Sequence, residues 1–249
     1  SSDLVVAKAA PDGYTLAFVA SSHVVNKALF ANLSYDPIKG FAPISQTANV
    51  QLVMVVPASL GVNSVADFIA LAKAKPGGLS YASSGSGSNP QFFAEMLKSA
   101  AGIDVMHVPY KGPAPAMQDV LANQVPCGLL AGPTVLPHVR SGKLKMLAVG
   151  SPKRSPLFPE VPTLAETVMP GFEAGAWQGI MVPANTPKAV VQRLNAEINK
   201  AQAVKSVQDR YQTLSLEAGR MDRPTLRRYV ESEVNKWGQL VKDLNIKIQ

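Results

Sequence analysis

Cysteine is almost absent: Cys127 is the one residue of its kind in 249. An internal disulfide is thereby excluded. A thiol inside the apolar run 125–131 reads as a buried structural group, not a nucleophile. Histidine is scarce too. His23, His107 and His138 show no His-x-x-x-His spacing and no companion cysteine or carboxylate cluster, so no metal site is expected. His107 alternates within a strand pattern and reads as structural.

Charged residues make up 16% of the chain against 47% hydrophobic, which excludes a disordered polymer. Long apolar runs are missing as well. The longest, such as 52–56, are strand-sized, far below the roughly 20 residues that cross a bilayer, so no membrane insertion is expected. Basic residues outnumber acidic ones, 24 to 17, giving +7. They form no dense blocks interleaved with aromatics, which excludes nucleic acid and leaves a solvated basic surface that favours small anions.

Catalytic arrangements are missing. Gly85-Ser86-Gly87 lacks the frame of a nucleophile elbow. The Gly/Ser stretch has neither the Gly-Lys-Ser/Thr of a phosphate loop nor the third glycine of a dinucleotide fingerprint. Asp12, Asp36, Asp67, Asp104 and Asp119 are scattered where capping is the usual role. No enzyme activity and no cofactor are expected. The chain opens Ser-Ser-Asp-Leu, without methionine, so any secretion signal is expected to lie outside these residues.

Short β-rich runs alternate with helical patterns, the pattern of an α/β fold with parallel sheets and crossover helices. Strands are predicted at 14–20, 51–56, 79–82, 105–110, 125–131, 144–149 and 177–182, and helices at 65–75, 90–101, 115–123 and 135–141. A helix follows residue 182, with Thr186 predicted as N-cap and Pro187 as first helical residue. A longer one runs from about 224 with Leu226, Val230, Val234, Trp237 and Val241 as its packing stripe. Two strands end in Val-Pro-Ala, at 56–58 and 182–184. They suggest two hinge strands: residues 1–57 plus 176–249 form one lobe, incomplete at its N-terminus, and 58–175 the other.

Four strand ends carry ligand-type chemistry. The stretch Ser84, Gly85, Ser86, Gly87, Ser88 to Gln91 combines small residues, hydroxyls and a helix start, where free N–H groups attract anions. Tyr110, Lys111 and Gly112 form the second, Ser21 and Ser22 the third, and Gly132, Pro133 and Thr134 the fourth. Ligands of open α/β sheets sit beyond the carboxyl ends of strands, so these four are expected to converge.

The stretches Lys8-Ala9-Ala10-Pro11-Asp12-Gly13-Tyr14, Tyr35-Asp36-Pro37, 84–91, His107-Val108-Pro109-Tyr110-Lys111-Gly112, Leu136-Pro137-His138 and Val161-Pro162-Thr163 resemble, in order and over the whole length, the tripartite tricarboxylate transporter receptors (TctC or Bug proteins). The resemblance implies a two-lobed, type II periplasmic-binding-protein clamshell with two hinge strands. It implies a periplasmic, monomeric solute-binding protein that captures a small organic carboxylate for membrane transporter subunits. The ligand would be held by Ser21, Ser22, Ser84, Gly85, Ser86, Gly87, Ser88, Gln91, Tyr110, Lys111, Gly112, Gly132, Pro133 and Thr134, with Trp177 lining the cleft. A ligand-sensing receptor that presents its closed form to a signalling partner shares every contact. An enzyme using the Ser/Gly loop on a nucleotide or phosphate is the remaining alternative.

The chain departs from the family. Its members begin with a further strand and a Pro/Gly-rich loop, leaving the first lobe here incomplete by expectation. Pro113 and Pro126 replace a usual Gly and Asp, and Gln91 stands where His is frequent. Leu130 replaces an Asp, which implies a carboxylate ligand without an ammonium group.

Overall fold

The computed structural model describes residues 2–29, 33–214, 216–219, 221 and 223–243. The chain opens with α1 (Ser2–Ala7), β1 (Ala17–Ala20), α2 (Ser22–Leu29), β2 (Phe41–Val50) and β3 (Leu52–Pro57). Next come α3 (Val65–Ala74), β4 (Ser80–Ser83), α4 (Asn89–Ala101), β5 (Met106–Pro109), α5 (Pro113–Leu121), β6 (Cys127–Ala131), α6 (Gly132–Arg140) and β7 (Leu144–Val149). The last third holds α7 (Leu164–Thr167), β8 (Ala176–Pro183), α8 (Lys188–Gln202), α9 (Lys205–Thr213), β9 (Glu217–Ala218) and α10 (Arg223–Asp243). No described helix is long and apolar enough to cross a membrane.

The described chain forms two compact units, residues 2–49 with 177–243 and residues 50–176. The sequence places β3 in the first unit; instead β3 lies in the second unit's sheet, between β6 and β7. Its six residues are all buried, which explains why: Leu52, Met54 and Val56 pack in one core cluster and Val53 and Val55 in the other. A strand apolar on both faces needs cover on both, and only the middle of a sheet supplies it. The chain therefore crosses between units at Asn49/Val50 and again at Ala176/Trp177.

The second unit's sheet has the order β5-β4-β6-β3-β7. Strand β4 runs parallel to β5 and β6, whereas β3 is antiparallel to both β6 and β7. The sheet is thus mixed, not wholly parallel as the alternating pattern suggests. Helices α3 and α4 supply Phe68, Phe93 and Leu97 to one core cluster, while α5 and α6 supply Met117, Val120 and Val135 to the other.

The first unit's sheet has the order β1-β8-β2-β9, with β1 antiparallel to β8 and β2 antiparallel to β9. Strand β2, missed by sequence, buries Ser45 and Gln46 beside Ile44. Residues far along the chain satisfy several of its polar groups. Asn199 accepts the Ser45 hydroxyl at 2.9 Å, Asn195 donates to the Ile44 carbonyl at 2.6 Å, and Gln202 donates to the Gln46 carbonyl at 3.2 Å. Helix α10 packs on α2 and buries Leu226, Val230 and Trp237, whose indole N–H donates to Glu233 at 2.8 Å.

Thr186 is not the N-cap of α8. That position falls to Pro187, and the Thr186 hydroxyl donates to the Pro183 carbonyl at 2.8 Å. Strand β1 lies at a sheet margin and starts three residues later than predicted. Tyr14, Leu16 and Phe18 stay exposed, Phe18 to 67%.

Candidate functional site

Ser21, Ser22 and Trp177 belong to the first unit, and the other expected ligand residues to the second. In the first unit, β1 and β8 pair at Ala20 and Gln178, which sets Ser21 beside Trp177. The Ser21 N–H donates to the Trp177 carbonyl at 2.9 Å, and the Trp177 N–H reaches the Ser21 hydroxyl at 3.3 Å. Ser21 is fully buried, so its hydroxyl braces this strand pair. Ser22 opens α2 and is half-buried. Trp177 is 1% exposed, lies edge-on to Tyr229, and its indole N–H has no partner among the described residues.

In the second unit three parallel strands bring three loops to one end of the sheet. Ser83 of β4 pairs with Pro109 of β5, and Ala82 with Gly128 of β6. The segments after them, 84–88, 110–112 and 132–134, therefore emerge side by side and lead into α4, α5 and α6. The Tyr110 N–H donates to the Ser83 carbonyl at 3.2 Å. A β-carbon on Gly85 would sit 3.0 Å from the Tyr110 carbonyl. The first two loops touch.

The 84–88 loop is held from within. Gly85 and Gly87 adopt φ of +133° and +75°, a region that favours glycine. The Ser88 hydroxyl donates to the Gly85 carbonyl at 2.6 Å, and the Gly87 N–H donates to Gln91 Oε1 at 2.7 Å. Ser83 Oγ lies 2.6 Å from His107 Nε2 and accepts the Gly85 N–H at 3.2 Å. The sequence reading offered no such serine–histidine pair; register alone creates it, since Tyr81 faces His107 across β4 and β5. It is a brace, not a nucleophile. Ser83 is fully buried, and His107 stacks on Tyr81 at 4.8 Å. Burial holds the imidazole below its usual value and favours the neutral ring.

The helix starts hold fewer donors than the sequence reading assumed. Pro113 and Pro115 bracket Ala114 at the start of α5, and prolines also stand at the starts of α4 and α6. Each removes an N–H that a first turn otherwise leaves free. The Gly132 N–H is committed to the Gln51 carbonyl at 2.8 Å. Donors therefore come largely from side chains.

Tyr110 does not direct its hydroxyl as expected. The phenol donates to Asp119 Oδ2 at 2.5 Å; burial and that carboxylate push its pKa up to about 12. Lys111 is exposed and Ser86 is exposed. Leu130 faces Val53 inside the core and is fully buried, so its replacement of an Asp says nothing about the ligand. Cys127 is buried in the same sheet, its thiol pKa raised by desolvation. No cluster of three metal-ligating side chains occurs among the described residues.

A cavity of about 440 Å³ opens elsewhere, in the first unit, among Asn199, Gln202, Gln208, Gly219 and Met221. None of these is an expected ligand residue. Their amides tie α8 and α9 to β2: Gln202 to Gln46, Asn199 to Ser45, and Gln208 to the Gln202 carbonyl. The cavity lies along a structural seam.

The family model described as "Tripartite tricarboxylate transporter family receptor" matches residues 3–246. BugT of Bordetella pertussis is 33% identical over 98% of this chain and 75% of its own length. Among solved structures, R. palustris Rpa4515 with adipate is 31% identical, covers 99% of this chain and 83% of that one, and superposes with a TM-score of 0.90. MatC of Rhodopseudomonas palustris with bound malate is 30% identical over 95% of this chain and 82% of its own, with a TM-score of 0.84. A further solved structure, of the periplasmic binding protein BugD, is 31% identical over 98% of this chain and 82% of its own, superposes with a TM-score of 0.85, and shares this α/β periplasmic-binding-protein fold. The chain belongs to the tripartite tricarboxylate transporter receptor family.

Proposed function

We propose that this protein is a periplasmic, monomeric receptor that captures a small organic carboxylate and delivers it to the membrane subunits of a tripartite tricarboxylate-type transporter. One observation carries the reading. Three parallel strands of the second unit end together, and their loops assemble hydroxyls, glycine backbone, the Gln91 amide and the exposed Lys111 beside three helix starts. Such an array is suited to an anion. Relatives solved with adipate and with malate support an aliphatic carboxylate as the class.

Charge-assisted hydrogen bonds of about 1.5–3 kcal/mol each need only a few members to reach micromolar affinity. Calorimetric titration with adipate and malate tests the proposal. Saturable binding to the wild type, weakened about tenfold by Lys111→Ala, is the expected outcome. Absence of binding by these and related mono- and dicarboxylates would refute it.

A further inference from the structure

Gln91 is 7% exposed, and half of its amide is already assigned. Its Oε1 accepts the Gly87 N–H at 2.7 Å, the side chain reaching back from the first turn of α4 to the loop before it. A carboxamide anchored through its oxygen has no freedom to flip. The NH₂ half then projects the other way. It has no partner among the described residues and is not among the sealed, unpartnered polar atoms, so it keeps some contact with solvent.

The neighbouring groups have the same polarity. Lys111 is an exposed cation. The Gly85 carbonyl is occupied by the Ser88 hydroxyl. Asp119, the carboxylate bonded to these loops, accepts the Tyr110 phenol. Glu95 of α4 accepts the Tyr81 hydroxyl and pairs with Lys98 at 3.0 Å. The Gly85 carbonyl and the Asp119 carboxylate already receive donors, whereas the Gln91 NH₂ and the Lys111 ammonium have no partner among the described residues. Prolines at the starts of α4, α5 and α6 give the side-chain donor more weight than it would otherwise have.

We infer that Gln91 is the specificity-determining residue of this unit: locked by Gly87 into a donor-only orientation, it accepts a carboxylate and rejects a ligand carrying an ammonium group beside it. The inference rests on the carboxylate reading proposed above and narrows it to acids without an α-amine. Leu130 plays no part in it. An ammonium placed here would face the Nε2–H dipole and the Lys111 charge, which attract a carboxylate and repel a cation.

The test uses the full chain and two matched pairs of acids, adipate against 2-aminoadipate and malate against aspartate, by calorimetric titration. The wild type is expected to bind the amine-free member of a pair at least about tenfold more tightly. Gln91→Glu keeps an acceptor for the Gly87 N–H but turns the free half into an oxygen. It is expected to lose about ten- to a hundredfold in affinity for the amine-free acid and to shrink or invert the preference. Gln91→Met, of similar length and without a donor, should lose affinity without inverting it, and it decides the matter should the glutamate variant misfold. Equal wild-type affinity for both members of each pair, or unchanged binding by both variants, overturns the inference and leaves the carboxylate reading standing. A wild type that binds none of the four acids overturns the carboxylate reading itself.

Discussion

Gly85→Ala examines the loop that the proposed site depends on. At φ +133° an L-residue carries a strain of about 1–3 kcal/mol. The added methyl would also meet the Tyr110 carbonyl at 3.0 Å, so the contact between the first two loops has to open. A total of roughly 2–3 kcal/mol would lower the melting temperature by roughly 5–10 °C for a chain of this size. Gly142→Ala is the matched control. Its φ is +71°, no atom lies within 4 Å of the new methyl, and strain of about 1 kcal/mol is its whole expected cost. Both variants would be melted with and without adipate at about 100 times the wild-type Kd, where ligand adds about 2.7 kcal/mol of stability. The control should keep that increment in full from its lower baseline. Gly85→Ala should keep half or less, since a tenfold weaker Kd removes about 1.4 kcal/mol of it. Equal increments in the two variants would refute the assignment of this loop to the ligand.

Two further outcomes concern stability. Asp36 is partly buried, which alone would raise its carboxyl pKa, but the N–H groups of Lys39 and Ile38 and the Lys27 ammonium outweigh burial and hold it at about 2. Its folded value lies below the unfolded one, so its contribution is complete above about pH 4 and fades as pH falls toward 2. Discounted for exposure it is about 1 kcal/mol, so Asp36→Ala should cost that much in urea unfolding at pH 7 and progressively less toward pH 2; an equal deficit at both would contradict the account. Asn195→Ala removes the 2.6 Å bond to the Ile44 carbonyl and should cost about 1–2 kcal/mol in urea while leaving adipate affinity unchanged. Wild-type stability would show that the polar groups of β2 need no help from α8.

Apolar periodicity made the second unit readable. Helices α3 and α4 and strand β7 fall within a residue of their predicted bounds, because each carries its pattern in its own sequence. Strand β2 was hidden for the opposite reason: Ser45 and Gln46 look solvent-facing until residues some 150 positions away bury and satisfy them. Strand direction was equally hidden, since Leu52–Pro57 reads the same whether its neighbours run parallel or antiparallel. At the site, residue types were legible and their commitments were not. Nothing local to Tyr110 says that its phenol belongs to Asp119, nor to Gln91 that its oxygen belongs to Gly87. Those assignments depend on where loops stand after the sheet has formed.

The margin of the first unit's sheet has a practical consequence. Among the described residues β1 pairs with β8 alone, so along Ala17–Ala20 one row of main-chain donors and acceptors faces outward beside the uncovered Phe18 ring. Covering that ring is worth about 1.5–3 kcal/mol to whatever extended polypeptide lies down next to it. Brevity limits the hazard, because four residues give a stranger little to zip onto. In a concentrated preparation that short border is one of the places where two molecules can meet edge to edge.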